Sequence, residues 1–228
     1  MHSGLREERS LVCYFLTVVV NYGLILIISA AIINHIMTLR KAGQTALAFF
    51  YFDYKDKQKQ NVRDAVTSLL VQLSAYSKSC RDIVYRLYSE HGKGTQDPSL
   101  EIVIECLKEM ITVTAPQQPI FIVLDALDEC PGDGMPAPRE QVLELIKGLV
   151  SIHPNLHICV TSRPEIDIQT KLKPLAVSAI SLHDEIGQKV VISSYVSSVV
   201  FSDERMKDWR DEDKKLVVKE LPERADGM

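Results

Sequence analysis

The sequence predicts an α/β protein in which helices cover both faces of a parallel β-sheet. Short apolar runs alternate along the chain with longer segments whose apolar residues recur at helical spacing. This alternation is typical of parallel strands joined by crossover helices. The run Ile120–Leu124 is continuously apolar, as expected of a strand that is buried on both faces.

Composition and charge exclude several classes of protein. The chain has 228 residues, enough for one domain and an appendage, and its 46% hydrophobic content excludes a disordered tail. A net charge of -4 argues against a nucleic-acid partner, because such proteins usually carry a basic excess. Five cysteines without a C-x-x-C pair do not indicate a zinc site or a disulfide framework. We therefore expect a cytoplasmic domain.

Residues 1–40 stand apart as an apolar N-terminal segment. No Asp, Glu, Lys or Arg occurs from residue 10 to residue 39, and 19 of the 23 residues in the window 11–33 are apolar. Because about 20 such residues span a bilayer as a helix, this composition predicts a transmembrane helix over residues 11–33 that anchors the domain to a membrane. The alternative is a buried strand and helix inside an α/β core.

Three apolar runs after this segment predict strands, which we expect to be parallel. They are Ala46–Phe52, Ile120–Leu124 and Leu156–Val160. Polar motifs follow the second and third of these runs, so both motifs should lie at the carboxyl edge of the sheet, where α/β folds place ligands.

Capping residues mark the helices between and after these strands. Asn61 can cap one helix, Ser79 begins another, and the pair Asp97-Pro98 opens a third. Pro138 begins a fourth helix, because proline is well placed at the first helical position. A last helix, strongly charged, is predicted over Asp208–Leu221.

The motif IFIVLDALDE, at residues 120–129, places acids at the end of a predicted strand. Asp125 ends the apolar run, and Asp128 and Glu129 follow three and four residues later. In P-loop nucleotide hydrolases the strand-end acid holds magnesium through water, and a following acid can orient the attacking water. The alternative is a strand that ends in a solvated acidic turn.

The motif LHICVTSRPE, at residues 156–165, places Arg163 at the end of the next predicted strand. An arginine in this place can sense the terminal phosphate of a bound nucleotide. The alternative is a surface arginine in the turn before Pro164.

A phosphate-binding loop of the pattern G-x-x-x-x-G-K-[ST] is missing from the sequence. The Gly-Lys dipeptide at Gly92-Lys93 is followed by Gly94 rather than by Ser or Thr, and it falls between two predicted helices instead of after a strand. We interpret it as a loop that ends a helix.

Three stretches of the sequence resemble the NACHT module of fungal nephrocystin-type STAND proteins. They are ALAFFYFDYKDKQKQNVRDAVTSLLVQLS, PIFIVLDALDEC and CVTSRPE, in the family's order, and the C-terminal RADGM resembles the segment that ends the core there. The resemblance covers about residues 24–228. It implies a three-layer fold of P-loop NTPase type, incomplete here, with a truncated core over residues 44–228.

The resemblance also implies a function. Binding of ATP or GTP with magnesium would drive oligomerisation, through protein partners or self-association of the NACHT core. Asp125 would be the magnesium-side acid, Asp128 and Glu129 the acids that follow it, and Arg163 the end of the sensor strand.

The sequence departs from this family where the phosphates would bind. The segment Ile27–Ile36 resembles the family's first helix, yet Leu16–Val20 and Asn21-Tyr22-Gly23 stand before it in place of the glycine-rich loop and its lysine. We therefore expect a truncated module without ATPase activity and without a cofactor. Two alternatives stay open: a competent nucleotide switch whose phosphate contacts come from elsewhere, and a membrane-anchored interaction module.

Overall fold

A five-stranded parallel sheet forms the centre of the fold. The computed structural model describes residues 12–17, 22–176, 178–181, 193, 196–201, 206–207 and 209–224. The strands are β1 (Val12–Thr17), β2 (Ala46–Tyr51), β3 (Ile120–Asp125), β4 (Leu156–Ser162) and β5 (Ser178–Ser181). Their order across the sheet is β2-β3-β4-β1-β5, and every paired neighbour is parallel. The three predicted strands and their parallel arrangement are confirmed.

Seven helices have both of their ends within the described residues. They are α1 (Tyr22–Lys41), α2 (Val62–Ser74), α3 (Lys78–Glu90), α4 (Leu100–Thr114), α5 (Pro138–Val150), α6 (Ile166–Leu172) and α7 (Asp211–Arg224). The predicted cap at Asn61 is confirmed, since its side chain accepts the backbone N–H of Asp64. The predicted start of α5 at Pro138 is confirmed as well.

Two predicted helix starts are each displaced by two residues. Helix α3 begins at Lys78 because the hydroxyl of Ser77, and not that of Ser79, accepts the N–H of Cys80. Helix α4 begins after Ser99, which caps the N–H of Ile102. A serine directly before the first helical residue is thus the stronger start signal in both places.

The predicted transmembrane helix over residues 11–33 is wrong. Val12–Thr17 forms β1, which pairs with β4 on one side and with β5 on the other, and helix α1 begins only at Tyr22. No helix within the described ranges has both the length and the apolarity needed to cross a bilayer. The segment is apolar because a strand with neighbours on both sides and a helix packed on the sheet both need apolar residues. Residues 11 and 18–21 lie outside the described residues.

Apolar side chains of β2 alternate between two cores, one on each face of the sheet. Ala48 and Phe50 join the larger core with residues of α2 to α6, including Leu69 and Leu107. The intervening Leu47 packs against α1 in a smaller core, together with the buried residues Ile33, Ile36 and Val123. Helices therefore cover both faces of the sheet, as predicted.

Candidate functional site

The residues of the two sequence motifs meet at the carboxyl edge of the sheet. Strands β3 and β4 are adjacent and parallel, with Leu124 paired to Val160, so both strands end at the same edge. Asp125 is the last residue of β3, and Asp128 lies in the 3₁₀ turn that follows. Arg163 directly follows β4. The predicted meeting of the acidic motif and the arginine is confirmed.

Asp125 is enclosed by the protein, with 1% of its surface exposed. Its Oδ1 atom accepts hydrogen bonds from the hydroxyls of Ser29 in α1 and Thr161 in β4. Its Oδ2 atom is buried and has no hydrogen-bond partner among the described residues. Burial raises the pKa of this carboxyl, and the two hydroxyl bonds offset part of that rise.

Asp128 forms a two-point contact with Arg163. The backbone N–H of Arg163 donates to Oδ1 at 2.9 Å, and its Nε donates to Oδ2 at 2.6 Å. The aspartate side chain is 2% exposed, whereas the arginine side chain is 43% exposed. Both oxygens of the carboxylate therefore bind the chain that leaves β4.

Glu129 faces the segment that follows β2. Its Oε2 atom accepts the backbone N–H of Tyr54 at 3.1 Å. Burial raises the pKa of the Glu129 carboxyl, the nearby charges of Asp128 and Asp53 add to the rise, and the Tyr54 bond opposes it. This acid thus links the ends of β2 and β3.

A cleft of about 440 Å³ opens beside Asp128 and Glu129. Arg139 of α5 braces its rim, since Nη2 donates to the carbonyl of Asp128 and Nε to the carbonyl of Cys130, both at 2.8 Å. The lining residues are Tyr54, Gln60, Asp128, Glu129, Cys130, Pro131, Gly132, Asp133, Arg139 and Arg163. Asp125 does not line this cleft, so the motif's first acid is separated from the other two.

Sequence reasoning missed the partners of these acids. Ser29 is 96 residues from Asp125, and a serine within an apolar helix gives no signal of such a contact. Thr161 lies within the motif LHICVTSRPE, whose pattern does not indicate a contact with Asp125. Arg139 follows Pro138, and only the folded arrangement shows that its guanidinium reaches back to the turn after β3.

The described residues around Asp125 do not fit a magnesium ion. Carboxylate and hydroxyl oxygens are suitable ligands, but magnesium in proteins usually retains several water molecules. The unpaired Oδ2 is closed to solvent, and no group of three or more His, Cys, Asp or Glu within the described ranges could hold a metal. A magnesium role for Asp125 stays a prediction.

The family model described as nephrocystin 3, N-terminal, matches residues 26–163. The chain belongs to the nephrocystin 3 N-terminal family. The match includes most of α1, strands β2 to β4, and all four predicted site residues, Asp125, Asp128, Glu129 and Arg163. Strand β1 precedes the matched residues.

One solved structure similar to this family member is "Structure of Drosophila ORC bound to DNA", with a TM-score of 0.44 and 11% sequence identity. The alignment covers 94% of this chain and 46% of that one, so the present chain spans about half the length of the other. Among curated proteins, none matches this sequence.

Proposed function

We propose that this member of the nephrocystin 3 N-terminal family is an NTPase-like module of the NACHT and STAND type that does not hydrolyse ATP. It acts through protein partners or self-association of its α/β core. The observation that carries the proposal is the contact of Asp128 with Arg163: the acid expected to orient water and the arginine expected to sense phosphate bind each other.

The chemistry of hydrolysis requires more than acids at a strand end. Phosphate charge must be neutralised by the backbone N–H groups and the lysine of a glycine-rich loop, and a magnesium ion must be held in place. Only residues 18–21, with the sequence Val-Val-Val-Asn, connect Thr17 to Tyr22, and they contain neither glycine nor lysine. The acids Asp125 and Asp128 meanwhile accept hydrogen bonds from the protein itself.

The charged side chains around the cleft favour weak nucleotide binding at most. Two arginines line the cleft, but Arg139 already donates to two backbone carbonyls and Arg163 already pairs with Asp128. A partly exposed ion pair with a phosphate contributes only about 1 kcal/mol. A millimolar dissociation constant already needs about -4 kcal/mol. The nearby carboxylates of Asp128 and Glu129 would repel a polyphosphate, which increases the deficit.

Isothermal titration of the full chain with Mg-ATP and with Mg-GTP tests the proposal. We expect no saturable binding in the micromolar range. The matched pair of variants is Asp125→Ala, in the motif, and Asp133→Ala, an exposed acid on the cleft. A low-micromolar dissociation constant that is lost in the first variant and kept in the second would disprove the proposal.

A second candidate function is a competent ATP- or GTP-dependent oligomerisation switch whose phosphate contacts come from elsewhere in a longer assembly. The position of Asp125, Asp128 and Arg163 at the carboxyl edge of the parallel sheet favours it, because ligands of α/β folds bind at that edge. Sedimentation velocity with and without Mg-nucleotide distinguishes the two: the switch requires nucleotide-dependent association, and the inactive module requires none.

A further inference from the structure

Strand β2 forms one edge of the sheet, and half of its backbone groups face away from β3. The N–H of Ala46 donates to the carbonyl of Pro119, and the N–H of Phe52 donates to the carbonyl of Asp125. Even-numbered residues of β2 therefore bond to β3. The N–H and C=O groups of Leu47, Phe49 and Tyr51 point outward, where an open strand edge would be a template for pairing with another chain.

Two side chains bind four of these six groups, those of Leu47 and Phe49. The Gln72 amide accepts the N–H of Phe49 at 3.0 Å and donates to its carbonyl at 2.7 Å. The Tyr76 hydroxyl accepts the N–H of Leu47 at 2.7 Å and donates to its carbonyl at 3.1 Å. Each side chain thus supplies the donor and the acceptor that a neighbouring strand would supply.

Both side chains are held in this position by further contacts. The amide nitrogen of Gln72 also donates to the hydroxyl of Ser68, one turn earlier on α2, at 3.1 Å. The guanidinium of Arg40, near the end of α1, lies 4.8 Å from the centroid of the Tyr76 ring. The arrangement therefore joins both helical layers to the sheet edge.

The sequence of β2 makes such protection useful. Its six residues, ALAFFY, include three aromatic side chains and contain no charge and no proline. A short apolar segment of this kind pairs readily with an identical segment when its edge is open. A second copy of this chain carries the same segment, so it is the partner that could pair with an open β2 edge.

We propose that Gln72 and Tyr76 act as a substitute for a sixth strand and prevent a second copy of the chain from adding to β2. The proposal concerns this edge alone and is independent of nucleotide binding. The two residues thus have two roles. They form hydrogen bonds with the backbone of β2, and they keep copies of the chain from associating through that strand.

The test uses the full chain with the double substitution Gln72→Met and Tyr76→Phe, which keeps side-chain size and removes the hydrogen bonds. The control carries Gln141→Met and Tyr85→Phe on helices α5 and α3, away from β2. Sedimentation velocity from low to high micromolar concentration should show the double variant associating, and the control sedimenting like the unchanged chain. Circular dichroism establishes that each protein is folded.

A hydrogen-exchange measurement on Tyr76→Phe alone covers the case in which the double variant does not fold. The amide of Leu47 should exchange about fivefold to tenfold faster, the effect of one lost hydrogen bond, and should become protected again as concentration rises. A folded double variant that sediments like the unchanged chain overturns the proposal. So does equal association of variant and control, or, for Tyr76→Phe, exchange at Leu47 that does not depend on concentration.

Discussion

Asp128 binds Arg163 through both of its carboxylate oxygens, one to the backbone N–H and one to Nε of the guanidinium. The first bond holds the chain as it leaves β4, and the second holds the side chain. Because Arg139 also donates to the Asp128 carbonyl, the turn after β3 is fixed by two arginines from different elements. Through these contacts the acidic motif holds together the segments that follow β3 and β4.

Asp128→Ala should lower the free energy of unfolding by about 2 kcal/mol, since the N–H of Arg163 loses its acceptor in a part-buried position. The cost stays below that of breaking a fully buried pair because the Arg163 side chain is partly exposed. Asp128→Asn keeps one acceptor and should cost about 1 kcal/mol. Urea unfolding measures both, and the exposed Asp133→Ala control should change stability by less than about 0.5 kcal/mol. Equal effects of Asp128→Ala and the control would contradict this prediction.

Asp125→Asn should make stability less dependent on pH. Burial raises the pKa of Asp125 above the 3.8 of a free side chain, so the folded chain holds the proton more tightly than the unfolded chain. This contribution to stability is fully present below pH 3.8 and is lost as the pH rises through the folded value. Melting temperatures from pH 3 to pH 7 should therefore show the Asn variant gaining on the unchanged chain as the pH rises. A constant difference across this range would contradict the raised pKa.

Acidification should destabilise the sheet through His157. Burial lowers the pKa of His157 below 6.5. Its Nδ1 is buried without a hydrogen-bond partner among the described residues, and its ring stacks on that of Phe121 with the two ring centroids 4.7 Å apart. The contribution to stability is present above pH 6.5 and is lost as the pH falls through the folded pKa.

The variant His157→Phe keeps a ring against Phe121 and removes the titrating group. Its loss of melting temperature between pH 7.5 and pH 5 should be smaller than that of the unchanged chain. His35→Gln, at an exposed position of α1, serves as the control for removal of a histidine that has no ring contact with Phe121. The same slope in all three proteins would disprove the assignment.

Ala126→Gly should raise stability by about 0.5 kcal/mol, because Ala126 has a left-handed backbone (φ 54°, ψ 46°) that costs about 1 kcal/mol for a residue with a Cβ atom. Ala126→Val should lower stability by more than 1 kcal/mol, since β-branching aggravates the strain. Ala65→Gly, inside helix α2, should instead lower stability by about 1 kcal/mol, and denaturant unfolding compares the signs. A loss on Ala126→Gly as large as that on Ala65→Gly would show that the turn is unstrained.

The elements that sequence predicted well are those with strong local signals. The continuous run of β3 has the pattern of a strand buried on both faces, and Asn61 stands directly before an amphipathic helix. The parallel arrangement then brings Asp125 and Arg163 to one edge. The prediction of a transmembrane helix was wrong because a central strand followed by a packed helix needs the same apolar composition as a membrane span. Composition does not show that the strand ends at Thr17 and that a separate helix begins at Tyr22.

Contacts between distant residues could not be predicted. The bonds of Ser29 and Thr161 to Asp125, and of Asp128 to Arg163, join residues that are 96, 36 and 35 positions apart. No local periodicity specifies such pairs, since they follow from the strand order and from the packing of α1 on the sheet.

The place of β1 in the sheet determines the order in which the protein can be completed during synthesis. Val12 pairs with His157, and Tyr14 with Ser178, so β1 must wait for β4 and β5, which are synthesised well over a hundred residues later. At cellular translation speeds that interval is roughly 7–30 s. Strands β2 and β3 can pair with each other during this time, while β1 is still without either of its neighbours.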